Sequence, residues 1–302
     1  MGLFLLFIDG MGLGDEDAGI NPFVRAFIPN FKALMRDNMV PTDATLGVEG
    51  LPQSATGQTT LFTGINASQL LGRHLHGFPN KELRHLIMEH SLLKRLKDKG
   101  YRVANCNAYR DEYVSQILKE DTLGKRKVLK SVTTVATLAA GIRLRTMEHL
   151  LEGRAIYHDI TNEILLKKGY KVPLSDENRA VHTIISLMKD HDFLFFEYFL
   201  TDIAGHGQQM DVSVDIIQLL DRFIGKLIKN VDLKKNLIII TSDHGNIEDI
   251  TTKTHTLNKV PTFLIGSGQD KLKGDIKSLT DISPAIEKGL TPLLEMPKAL
   301  NV

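Results

Sequence analysis

What most narrows the folds open to this chain is a set of short, largely apolar runs, residues 3–8, 194–199, 237–241 and 262–265, separated by stretches of helical patterning. A short apolar run bounded by turn residues reads as a strand buried on both faces, the kind found in parallel sheets covered by helices. Between the runs, Leu83, Leu86, Ile87, Leu92, Leu93 and Leu96 follow helical spacing over about 81–99, and similar patterns span about 178–189 and 212–229. Residues 101–105 follow the helix-stop pair Lys99-Gly100 and read as a further strand. Strands alternating with helices predict an α/β fold, a doubly wound, mostly parallel sheet with helices on both faces.

One segment breaks the rhythm. Residues 109–177 lack the strand and helix alternation and carry Lys125-Arg126-Lys127, Arg143, Arg145 and Arg154. They are expected to form a small inserted cap on a core made of 1–108 and 178–302. Ser283-Pro284 reads as the cap and first residue of a terminal helix over 285–290.

Bulk properties exclude some functions. With 37 basic against 36 acidic residues the formal net charge is +1, so no global field recruits nucleic acid or an anionic membrane, and any preference for anions is local. Cys106 is the single cysteine, which rules out an intramolecular disulfide or a thiolate metal site and fits a reducing, cytoplasmic compartment. The apolar start, Met1 to Ile8, has no basic flank, is too short to span a bilayer and runs directly into Asp9, so a strand is expected there and not a leader.

In open α/β sheets, ligands bind beyond the carboxyl ends of the strands. The residues at those positions are Asp9, then Asp202 and His206, then Asp243 and His244, with His255 shortly before the next strand. Any one of them has an ordinary reading, such as the Asp-Gly turn at Asp9. A dinuclear metal site accounts for all of them and for their placement at once. Carboxylates and imidazoles without thiolates suit zinc, manganese or iron(II), and six such groups suffice for two closely spaced ions. Asp202 and His206, four apart, reach one ion if their segment takes a helical turn.

The stretch Pro52 to Thr60 reads as a loop entering a helix, with the Ser54 hydroxyl near the positive end of its dipole, a natural phosphate site. A serine oxygen on a metal can attack phosphorus without a histidine base, and Thr56, Thr59 and Thr60 are the other hydroxyls available. His74 and His76 alternate like a metal pair but are expected to be structural or at the substrate edge. His158-Asp159 reads as a surface pair or a local helix signal, and Lys125 to Lys127 as a solvated face.

The segments Ser242-Asp243-His244-Gly245-Asn246-Ile247-Glu248 and His255-Thr256-Leu257-Asn258-Lys259-Val260-Pro261, with Asp9 and Ser54 before them, resemble the alkaline phosphatase superfamily. Within it the chain is similar to the branch of cofactor-independent phosphoglycerate mutase and phosphopentomutase, and Leu279 to Pro284 is similar to that branch's last helix. The resemblance implies an alkaline phosphatase-like fold and two divalent ions, Mn2+ or Zn2+. One ion would be held by Asp9, Ser54, Asp243 and His244, the other by Asp202, His206 and His255. It implies a phosphomutase or phosphatase acting on a small phosphorylated substrate through a phosphoserine at Ser54. The alternatives it leaves are a phosphodiesterase or sulfatase-type hydrolase of the same superfamily and a non-catalytic metal- or nucleotide-binding member. The chain departs from the mutases at Gln58, where they usually carry a His, and in 109–177, which is shorter than the phosphoglycerate mutase insert. Arg110-Asp111 loosely resembles an Arg-Asp substrate motif.

Overall fold

A computed structural model of the chain describes residues 2–123 and 128–291; the basic stretch Lys125 to Lys127 lies outside the described residues. The strands are β1 (Leu3–Ile8), β2 (Met39–Thr42), β3 (Val103–Asn105), β4 (Phe193–Tyr198), β5 (Leu237–Thr241) and β6 (Val260–Gly266), in one six-stranded sheet of order β2-β6-β5-β1-β4-β3. β1 lies parallel to both β4 and β5, and β3 parallel to β4, whereas β6 runs against β5 and β2. The expected doubly wound, mostly parallel α/β sheet is what the chain forms. Among the described residues no helix is long and apolar enough to cross a membrane.

Side-chain alternation divides the core between the two faces. Phe4, Leu6 and Ile8 of β1 point to one face with Phe196 and Ile240, and the helices Glu177–Asp190 and Met210–Asn230 cover them with Ile184, Phe223 and Ile224. Leu3, Leu5 and Phe7 point to the other face with Phe195 and Ile239, under Phe62, Leu96 and Ile286. β1 is buried along its whole length, as its uniform apolar sequence requires.

Four local features differ from the sequence reading, each with a physical cause. The pattern over 81–99 forms two helices, Lys81–His90 and Leu92–Asp98. Ser91 takes an extended conformation between them and its hydroxyl accepts from the Lys94 amide, a capping geometry that stops one helix and starts the next. β2 was not expected, and Pro41 explains why: a residue without an N–H reads against a strand, but β2 is an edge strand. The terminal helix begins at Ile282, one turn after a capping box at Ser278, so Ser283 is a buried helical residue and not the cap. Finally, the helix Val132–Ala139 sits in the core layer, where Val132, Val135 and Ala136 pack with Leu93 and Leu96.

Candidate dinuclear metal centre

Asp9 follows β1, Asp202 follows β4, and Asp243 and His244 follow β5, so all stand at one edge of the sheet. His255 precedes its strand yet reaches the same edge, because β6 is antiparallel and its start lies beside the end of β5. Asp202 and His206 share one face of the helix Leu200–Gly207, the helical turn that their spacing anticipates.

Ser54 is the first residue of the helix Ser54–Thr63, whose ten residues are all buried. The helix presses against the end of β5 at Gly57, where a Cβ would fall 2.8 Å from the Asp243 carbonyl oxygen. Gly205 plays the same part for the helix Leu200–Gly207, since a Cβ there would lie 2.4 Å from Asn246 Oδ1. The threonines of the Ser54 helix are turned inward. Thr59 Oγ1 donates to the Ala55 carbonyl, Thr60 Oγ1 to that of Thr56 and Thr56 Oγ1 to that of Gln53. Of the four hydroxyls, Ser54 Oγ is the one set against a candidate ligand, 3.0 Å from His244 Nε2.

Two groups of donors result. His244 Nε2 is 3.3 Å from Asp9 Oδ1 and 3.5 Å from Asp243 Oδ2. Asp202 places Oδ1 3.4 Å from His255 Nε2 and Oδ2 3.4 Å from His206 Nε2. The groups touch through His244 and His255, whose rings stack at 3.7 Å.

Hydrogen bonding shows what these donors are prepared for. His255 Nδ1 lies 2.7 Å from the Pro52 carbonyl and His206 Nδ1 2.6 Å from the Lys253 carbonyl. A carbonyl only accepts, so both Nδ1 atoms carry the proton, and in the neutral rings both Nε2 atoms present bare lone pairs. These lone pairs face each other at 3.3 Å beside the Asp202 carboxylate. Such a cluster repels itself unless a proton or a metal cation stands among the atoms, and an outer N–H given to a carbonyl is the usual support of a metal-ligating histidine. Asp9 points the same way: its Oδ1 is buried with no hydrogen-bond partner. Burial, and then the charges of Asp243, Asp202 and Glu197, push its carboxyl well above the ordinary range. The residues fit two cations.

Three supports hold the edge together. Gln58 Nε2 donates to Asp9 Oδ2 and Asp243 Oδ2, both at 3.0 Å, so the residue that departs from the mutase pattern ties two candidate ligands. Asn246 Nδ2 donates to Asp202 Oδ1 at 2.7 Å. Glu248 accepts from the Gly12 and Asn246 amides at 2.8 Å, from Thr256 Oγ1 at 2.5 Å and from Asn258 Nδ2 at 3.1 Å, joining the loops after β1, after β5 and before β6.

A cavity of about 640 Å3 opens onto Asp9, Ser54, Gln58 and Asp202 and is walled partly by residues of 109–177, among them Arg110, Tyr157, His158 and Lys168. Asp111 of the Arg-Asp pair turns away and accepts from the Met147 amide. Glu197 also lines the cavity; burial pushes its carboxyl up to about 7, with the Asp243 charge adding and a hydrogen bond from Thr133 opposing. Sequence reasoning passed over Glu197, although a lone acid in the otherwise largely apolar stretch Phe193 to Leu200 was a signal, since buried carboxylates need a reason. His74 is structural, bonded to Ser68 Oγ and the Val48 carbonyl, and His76 stands beside the site with its ring 6.2 Å from that of His255. Asp159 caps the helix Glu163–Lys167 by accepting from the Asn162 and Ile164 amides.

The pattern of the metalloenzyme superfamily matches residues 1–290. The chain belongs to that superfamily. Its sequence is 33% identical over 94 residues to the 2,3-bisphosphoglycerate-independent phosphoglycerate mutase of Pyrococcus abyssi, a match covering 31% of this chain and 22% of the mutase. The chain thus spans about a fifth of the length of the mutases that it matches. Two solved structures show the same fold. The PH0037 protein of Pyrococcus horikoshii is similar at 18% identity and a TM-score of 0.61 over 96% of each chain. The alkaline phosphatase of the Antarctic bacterium TAB5 is similar at 15% identity and a TM-score of 0.51, covering 96% of this chain and 97% of that one. As a superfamily member the chain takes divalent metal ions, for which Asp9, Asp243 and His244 form one candidate cluster and Asp202, His244 and His255 another.

Proposed function

We propose that this chain is a phosphoryl-transfer enzyme acting on a small phosphate monoester through a phosphoserine at Ser54, as a phosphomutase or a phosphatase. The observation that carries the reading is Ser54 Oγ at the start of a buried helix, 3.0 Å from a histidine that belongs to both donor clusters. The mutase and phosphatase relatives agree with it.

Asp9, Ser54, Asp243 and His244 would hold one ion and Asp202, His206 and His255 the other. Two bound divalent cations, Mn2+ or Zn2+, supply Lewis acidity at the oxygens exchanged on phosphorus and ease deprotonation of the Ser54 hydroxyl. The protein supplies the rest. The unpaired amides at the start of the Ser54 helix favour an anionic phosphoryl group. Gln58 fixes one oxygen of Asp9, which leaves the unpartnered Oδ1 for an ion, and Asp243 is oriented by Gln58 at Oδ2 and by the Gly10 amide at Oδ1. Arg110 and Lys168, cations of the cavity wall, favour an anionic substrate.

Residues 109–177 serve in this reading as the cap, apart from the core helix Val132–Ala139. The phosphoserine passes its phosphoryl group to water or to a hydroxyl of the substrate according to how well the cap excludes water. A reducing cytoplasmic setting suits the lone buried thiol of Cys106.

Ser54→Ala tests the proposal. Metal-loaded variant protein should keep its metal, lose turnover of a generic phosphate monoester and show no phosphoserine by mass spectrometry on mixing with substrate. Unchanged turnover refutes the assignment.

A further inference from the structure

The cavity is larger and more aromatic than a small polyanion needs. At about 640 Å3 it falls in the range that holds a drug-sized ligand. Six rings line it, those of Phe78, Tyr109, Tyr113, Tyr157, His158 and Phe199. They are organised: Tyr109 and Tyr113 stack with centroids 5.9 Å apart, and His158 lies between Tyr157 and Phe199 at 4.2 and 4.3 Å.

The rim adds a second, independent observation. Phe78, Leu129 and Ile203 are exposed by 49%, 61% and 56%, and all three border this cavity. They come from three separate segments of the chain, and Ile203 is the immediate neighbour of the candidate ligand Asp202. Large apolar side chains left in water at one mouth mark a surface that gains by being covered. His158 itself keeps Nδ1 closed off behind the wall, without a hydrogen-bond partner. Burial first, then the charges of Lys168 and Arg110, lower this imidazole to about 4, so it is neutral near pH 7.

We propose that the alcohol part of the substrate carries an aromatic or other flat ring, which binds among these side chains while the phosphate faces Ser54. This rests on the phosphoryl-transfer reading of the same site and deepens it. A ring finds stacking partners and apolar rim contacts here. A three-carbon acid would leave the rings and the rim uncovered.

The test compares 2-phenylethyl phosphate, ethyl phosphate and 3-phosphoglycerate on the metal-loaded full chain, the first two being esters of similar leaving alcohols. A single methylene in an apolar pocket is worth about tenfold or more, so kcat/KM for the phenylethyl ester should exceed both others by at least about tenfold. Phe78→Ser, at an exposed position where folding is not at stake, should cut the phenylethyl-to-ethyl ratio several-fold. Equal kcat/KM for the phenylethyl and ethyl esters, or a preference for 3-phosphoglycerate, overturns the proposal. Calorimetry with 2-phenylethylphosphonate and ethylphosphonate separates it from the parent reading. If no ester turns over but the phenylethyl compound binds at least tenfold tighter, phosphoryl transfer fails and the ring site stands. If no ester turns over and the two phosphonates bind alike, both are overturned.

Discussion

Replacing Glu197 with Gln should stabilise the metal-free protein, and by an amount that depends on pH. The wild-type carboxyl is lifted from an ordinary value of 4.5 to about 7 by burial, and the Thr133 hydroxyl bonds to it at 2.5 Å. A raised folded-state value means that the group's contribution is fully present below 4.5 and is lost as the pH climbs through about 7, when the buried acid must ionise. The lift corresponds to about 3 kcal/mol between those limits. Glutamine keeps an oxygen to accept from Thr133 and never ionises, so the variant escapes the loss. Removing the Glu197 charge also relieves Asp9, whose carboxyl it helps to push up, and this acts in the same direction. Urea unfolding in chelator should therefore show Glu197→Gln more stable than wild type by about 3 kcal/mol at pH 8 and by less than about 1 kcal/mol at pH 5. An effect of equal size at both pH values would refute the reasoning, since it would mean that packing and not ionisation separates the two proteins.

Asp243→Asn should deplete the metal measured by elemental analysis after gel filtration, because it removes a charged donor from a fully buried position; full occupancy would contradict the ligand scheme. Glu248→Ala should cost about 3 kcal/mol or more in denaturant unfolding and weaken metal retention as well, since it leaves two backbone amides, Thr256 and Asn258 without their common acceptor. A loss below about 1 kcal/mol would show that water replaces the carboxylate. His255→Ala should lower metal content to about half, sparing the ion held by Asp9 and Asp243, and a variant that keeps both ions would show that His255 is not a ligand.

How much was legible in the sequence depended on whether the signal was local. Asp9 and Asp243 each end an apolar run, so strand geometry alone put them at the carboxyl edge of the sheet. Asp202 and His206 carried their relation in their spacing, and a single helical turn realised it. The Ser54 helix was likewise announced by its own residues, with the Ser54 hydroxyl at its positive end. The structure adds that Thr56, Thr59 and Thr60 each give their hydroxyl to a carbonyl of the preceding turn, a matter of helix phase.

The features that escaped detection depend on partners far along the chain. Pro41 reads as a strand breaker until β6 is seen to take only one side of β2. Val132–Ala139 reads as part of an insert until Leu93 and Leu96, some forty residues earlier, are seen to lie beneath it. His255 shows the same dependence at the site itself. A residue before a strand stands at the opposite edge from the metal centre if that strand is parallel to its neighbours, and at the same edge if it is antiparallel. The direction of β6, fixed by its pairing from Leu237↔Gly266 to Ile240↔Phe263, therefore decides whether His255 joins the candidate group of Asp202 and His206. Register and direction in a sheet are settled between strands, so His255 could be named from its sequence, whereas its place beside the other candidate ligands comes from the assembled fold.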